Sequence, residues 1–145
     1  MQLLILVVLV GLAAGVAVGL QGPLASLMSQ RIGTLESVFY IHLGGAVFSL
    51  IPLLFLGGGN LGRWRSVPWY ALGAGILGLV VLGGISFLIP RIGVATAVTL
   101  VVAGQLVVSA LLDNYGLLGA SIRHLDLPRA FGLAIVFVGV WLTVR

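Results

Sequence analysis

Five apolar stretches, each long enough to cross a lipid bilayer, fill most of this 145-residue chain and constrain its fold more than any other feature. A helix needs about 20 apolar residues to traverse the hydrocarbon core. Inside that core each backbone N–H and C=O must be satisfied within the protein, which leaves helices as the spanning form for apolar runs of this length. Hydrophobic residues make up 61% of the chain and charged residues 7%, against about 25% charged in an average soluble domain. The mean hydropathy is +1.29. A water-soluble enzyme domain does not fit, because a chain this short buries too little of its surface. A disordered chain does not fit either. The expected fold is all-α: a polytopic membrane helical bundle of five transmembrane helices, one integral membrane domain over residues 1–145.

The spans are expected at about 2–32, 35–56, 68–89, 94–112 and 129–144. The N-terminal run lacks a basic leader and is too long for a signal peptide, so it reads as the first membrane helix. Pro23 should kink that helix or end its first part. Thr34 is placed to N-cap the second span, with Glu36 in its first turn. Gly57-Gly58-Gly59-Asn60 should stop the second helix. Trp64 and Trp69 sit where an aromatic belt would lie at the start of the third. Pro90-Arg91-Ile92-Gly93 reads as a tight turn, and Pro128 opens the fifth span.

All seven basic residues are Arg, and they stand singly or in pairs at the ends of the apolar runs. That placement points to anchoring at membrane lipid headgroups and to topology, not to nucleic acid. Assigning connections alternately to two sides puts Arg63, Arg65, Arg123 and Arg129 with the N-terminal end, and Arg31, Arg91 and Arg145 opposite. Four against three is barely a bias, which suits a homodimer of oppositely inserted, antiparallel copies. A single orientation with a parallel dimer or another partner chain is the competing arrangement.

Most of the glycines fall inside spans. Gly11, Gly15 and Gly19 repeat every four residues, as do Gly45 with Ser49 and Ala74 with Gly78. Small residues at this spacing let helices approach closely in lipid, either within the chain or between subunits.

The polar residues inside the spans are few, and intramembrane polar groups are functional candidates by default. Gln21 lies beside Pro23; it is either interhelical glue or a substrate contact. His42, near Tyr40 and Gly44, is the one side chain well inside a span with a chemistry suited to titration near neutrality. It is either a neutral imidazole bonded to a carbonyl on a neighbouring helix or a group for proton coupling or substrate contact. Gln105, Ser109 and Asp113, at four-residue steps, share one helix face and form the clearest polar stripe. Asp113 either pairs with Arg123 or Arg129 or stands as a gate at the mouth of a pathway. Thr96 and Thr99 have hydroxyls suited to bonding their own helix, and Asp126 should serve the N-terminus of the fifth helix. The substrate-binding candidates are therefore Gln21, Tyr40, His42, Gln105 and Ser109, with His42 and Asp113 as coupling or gating candidates.

There is no Cys, and His42 and His124 are too far apart and too poor in carboxylate company to suggest a metal site. No catalytic Ser/His/Asp set, P-loop or dinucleotide fingerprint is present. No cofactor is implied, and enzymatic chemistry is not expected.

The run Pro90-Arg91-Ile92-Gly93-Val94-Ala95-Thr96-Ala97, then Ala103-Gly104-Gln105-Leu106 and Leu111-Leu112-Asp113-Asn114-Tyr115-Gly116, resembles the signature of the YdcZ-like family, five-helix members of the drug/metabolite transporter superfamily. Pro68-Trp69-Tyr70, Gly73, Gly75, Gly78, Gly132, Gly139 and Gln21 extend the likeness over nearly the whole chain. Two positions depart from it: Ala25 lies where the family often has a nearby Asn, and His42 stands where the family has an apolar or amide residue. The resemblance implies a small-molecule carrier in the plasma (inner) membrane. Related small multidrug resistance proteins use a carboxylate in the first helix; this chain has Gln21 in that region and no acid before Gly33, which disfavours that device. The expected function is a secondary transporter of a small solute, working as a dimer with its site between repeats. The alternatives are a non-transporting membrane subunit or stabilising partner, and a translocator of lipid or lipid-linked headgroups.

Overall fold

A computed structural model describes residues 2–145. The helices are α1 (Gln2–Ile32), α2 (Thr34–Phe55), α3 (Trp69–Leu72), α4 (Ala74–Ile92), α5 (Val94–Tyr115) and α6 (Leu127–Val144), with 3-10 turns at Leu61–Ser66 and Leu117–Gly119. Gly73, between α3 and α4, keeps right-handed helical angles (φ −78°, ψ 0°). The two helices together make one span, Trp69–Ile92, and five spans are long and apolar enough to cross a membrane.

α1 covers the expected 2–32, continuing through Pro23. Several other boundaries differ from expectation. Thr34 is not the N-cap of α2; Gly33 is, at φ 103°, and makes no side-chain cap bond. The Thr34 hydroxyl is occupied instead with Ser29 Oγ at 2.8 Å. The third span runs past Pro90 to Ile92, even though Pro90 has no N–H to give the Ser86 carbonyl, and the turn shrinks to Gly93 alone at φ 80°. α5 extends to Tyr115, which puts Asp113 in its last turn, and ends on the left-handed Gly116 (φ 62°). The triple glycine stops the second span as expected, all three residues taking positive φ.

The chain divides into two compact units, Met1–Phe87 and Leu88–Arg145. In the first, α1 and α2 form a hairpin closed at Gly33. Its core lies near that closed end: Ala25, Val38 and Leu82 are buried, with Ile41 packed against them. Ser37 Oγ donates to the Ala25 carbonyl at 3.0 Å, tying α2 to α1 where both residues are fully buried. Away from it, residues 2–18 are exposed, the natural state of apolar side chains that lipid solvates as well as protein does. In the second unit, Thr96 Oγ1 donates to the Thr143 carbonyl at 3.1 Å, joining α5 to α6. Thr99 bonds its own helix at Ala95 O, 2.7 Å.

The two units echo each other. Arg31-Ile32-Gly33 recurs sixty positions later as Arg91-Ile92-Gly93, and each glycine joins two helices at positive φ. At the same offset Ser26 and Ser86 match, as do Gly44 with Gly104 and Ser49 with Ser109. Burial follows: Ser26 and Ser86 are both buried, and so are Ser37 and Ala97.

Candidate functional site

Within the first unit α1, α2 and α4 bring two intramembrane polar side chains to one place. Gln21 and His42 border a cavity of about 470 Å³ whose other walls are Ile41, Gly45, Gly78, Val81 and Leu82. A second hollow, about 390 Å³, lies on another side of the same imidazole, among Leu35, Val38, Phe39, Gly75, Ile76 and Leu79. No charged residue lines either one.

His42 Nδ1 sits 2.8 Å from the Val38 carbonyl, one turn back on α2 itself and not on a neighbouring helix. A carbonyl only accepts, so Nδ1 donates. The opposite edge of the ring meets Gly78 of α4. A methyl group built on Gly78 would overlap Nε2 and lie 2.9 Å from Cε1. The glycine is therefore what makes room for the histidine. Tyr40 stands outside both linings, exposed and edge-on to Phe39 at 5.6 Å.

In the second unit Ser109 and Asp113 of α5 line a cavity of about 400 Å³ with Leu106, Leu125, Arg129 and Gly132 among its other walls. Asp113 Oδ2 pairs with Arg129 Nη2 at 2.9 Å. Arg129 Nη1 also donates to the Arg123 carbonyl, 3.0 Å away. The Arg123 backbone N–H donates to Asp113 O at 2.9 Å, and Leu125 N–H to Asn114 Oδ1 at 3.1 Å. Asp126 caps α6 through the Arg129 backbone N–H at 2.9 Å. Of the two arginines that could meet Asp113, the structure selects Arg129 by side chain and Arg123 by backbone.

Gln105 is exposed, as Gln21 and His42 are, but unlike them it lines no described cavity. Its counterpart in the sixty-residue repeat is Gly45, which borders the Gln21–His42 cavity. Gly78 and Gly45 are the lining residues that hydropathy passes over, since each acts by having no side chain. The glycines Gly11, Gly15 and Gly19 meet nothing within 4 Å among the described residues, so the stripe on α1 is uncovered in the single chain. No group of three or more potential metal ligands occurs among the described residues.

A family profile described as "Putative inner membrane exporter, YdcZ" matches residues 6–142. The Inner membrane protein YdcZ of Escherichia coli (strain K12) is 29% identical over 138 residues, which span 92% of this chain and 91% of that protein. No solved structure matches.

Proposed function

Because this chain belongs to the YdcZ family of multi-pass inner membrane proteins, we propose that it is a secondary carrier of a small solute and that the solute contacts Gln21 and His42. One observation carries this reading: two costly polar side chains, from different membrane-spanning helices, border a single cavity instead of bonding to each other.

The test is a thermal-shift screen of the purified protein against metabolites, drugs and lipids, followed by flux into proteoliposomes. Solutes that stabilise the wild type should lose that effect, and their flux, in Gln21→Leu and His42→Leu. Leucine variants that keep both would reject the carrier and favour a non-transporting subunit.

The working unit in this proposal is an antiparallel homodimer. The near-even arginine count and the uncovered Gly11–Gly15–Gly19 stripe support it. Asn60→Cys in this cysteine-free chain gives the test. Dual insertion predicts that an impermeant maleimide labels about half the copies in intact cells and the rest after permeabilisation. Labelling that is nearly complete, or nearly absent, before permeabilisation would mean one orientation.

A further inference from the structure

The cavity of the second unit, about 400 Å³, is polar at one end and apolar at the other. Asp113 is the third residue from the end of α5 and Arg129 the third from the start of α6, and their ion pair holds them level. α5, with 22 residues, is about 33 Å long against a hydrocarbon core of about 30 Å. Both charges therefore lie at the depth of lipid headgroups. Ser109 lines the cavity one turn further in, and Leu106 and Val136 line it about 10 Å further in.

Each polar group keeps bonding capacity after its contacts within the chain. Asp113 is engaged through Oδ2, and its Oδ1 has no partner among the described residues. A guanidinium has five N–H groups. Arg129 uses one on Asp113 and one on the Arg123 carbonyl, which leaves three. Ser109 is exposed and its hydroxyl has no partner among the described residues. The two charges sum to zero, so an ion of either sign meets a like charge beside its counter-charge, which is costly. A zwitterion meets an opposite charge at both poles. A carboxylate oxygen only accepts, so the cationic pole must carry N–H groups to bond Asp113. The apolar depth of the cavity suits a hydrocarbon chain, not a free headgroup.

We propose that this cavity is a lipid site selective for zwitterionic phospholipids with a primary ammonium headgroup. The ammonium donates to Asp113 Oδ1, and the phosphodiester accepts from the remaining N–H groups of Arg129. An ester carbonyl accepts from the Ser109 hydroxyl, and the acyl chain runs along Leu106 and Val136. This site is separate from the Gln21–His42 cavity and does not rest on the carrier reading.

A methylation series tests it. Dioctanoyl phosphatidylethanolamine, its N-monomethyl and N,N-dimethyl derivatives and the corresponding phosphatidylcholine share a phosphodiester and a net charge, and lose one N–H at each step. They are titrated into the detergent-solubilised protein, and bound lipid is read by native mass spectrometry. The ethanolamine lipid should bind roughly three- to tenfold more tightly than the choline lipid, the range of one net hydrogen bond. Anionic phosphatidylglycerol should also bind more weakly than the ethanolamine lipid. Gly132→Leu locates the site. Gly132 lines the cavity, and a methyl group built on it meets nothing within 4 Å, so leucine has open space to fill and leaves the ion pair in place. The preference should vanish in Gly132→Leu and in Asp113→Asn, while Ser109→Ala should weaken all four lipids alike. Should Asp113→Asn fail to fold, the wild-type series and Gly132→Leu decide. Equal affinity along the series, phosphatidylglycerol bound as tightly as the ethanolamine lipid, or a preference that survives Gly132→Leu would each overturn the proposal. Glycerophosphoethanolamine, the same headgroup without chains, should not displace the lipid. Displacement at equal concentration would overturn the assignment to a lipid.

Discussion

Asp113 and Arg129 each sit at the electrostatically wrong end of a helix. Asp113 is in the last turn of α5 and Arg129 in the first turn of α6, so each charge opposes its own helix dipole, at about 0.3–1 kcal/mol apiece. Their ion pair at 2.9 Å offsets that. The Arg129 and Asp113 side chains are 38% and 34% exposed, too open for the 3–5 kcal/mol seen on breaking fully buried pairs and more sheltered than a free surface pair, worth 0–1 kcal/mol. A coupling of about 1 kcal/mol is expected. Asp113→Asn strands the arginine charge, although Nη1 keeps its bond to the Arg123 carbonyl. Arg129→Gln strands the carboxylate at a helix C-terminus and should cost more. The double variant removes both charges and both dipole penalties, so it should be less destabilised than the two single losses added together, and close to wild type. The assay is a double-mutant cycle on unfolding in mixed detergent micelles, followed by the fluorescence of Trp141 on α6 in a background with Trp64→Phe and Trp69→Phe, which leaves it the single tryptophan. The coupling should fall between 50 mM and 1 M salt as screening grows. A coupling below about 0.3 kcal/mol, or one that salt leaves untouched, would refute the view that this pair fastens α5 to α6.

Three further outcomes are expected. Gly33→Ala and Gly93→Ala should each destabilise the protein by about 1–3 kcal/mol, measured in the same unfolding assay, because φ values of 103° and 80° strain any residue with a side chain. Ser37→Ala should cost about 0.6 kcal/mol, the average for interhelical hydrogen bonds in a membrane protein, and no more than about 1.7 kcal/mol, the largest found there, since the repeat-related Ala97 shows that a methyl group suits such a fully buried position; Ser37→Val should be worse through overpacking. Asp126→Ala should cost about 1 kcal/mol by removing the N-cap bond of α6, with no effect on the affinity of ligands for the Gln21–His42 cavity.

Hydropathy makes the five spans legible because lipid imposes a length and a composition on any helix that crosses it. It misplaces helix ends where one hydroxyl or one proline decides. Thr34 has the side chain of a cap, yet its hydroxyl bonds to Ser29; Pro90 looks like a stop, yet the helix winds on to Ile92 without that residue's N–H. The candidate site was readable in part. Gln21 and His42 stand out as polar groups in apolar runs, and they border one cavity. Tyr40, their neighbour in sequence, does not, because adjacent helix positions face about 100° apart. Gly78 and Gly45 were invisible as lining residues, since a glycine's contribution is the space it leaves on a neighbouring helix. The Arg-Ile-Gly period was a signal available without any structure.

The two one-residue turns also govern which changes of chain length this protein tolerates. Gly33 and Gly93 are each the whole connection between two helices, so there is no slack to absorb an inserted or deleted residue. One extra residue there would have to be taken up by winding, which rotates the following helix by about 100° and swings Ser37 or Ala97 out of its buried position. The stretches 56–68 and 117–122, the second lying between the Gly116 cap and the bonds made by Arg123, Leu125 and Asp126, carry no such register and can grow or shrink without rotating a span. Length variation among descendants of this chain should therefore collect in those two stretches, and the separation of Gly33 from Ser37, like that of Gly93 from Ala97, should stay fixed.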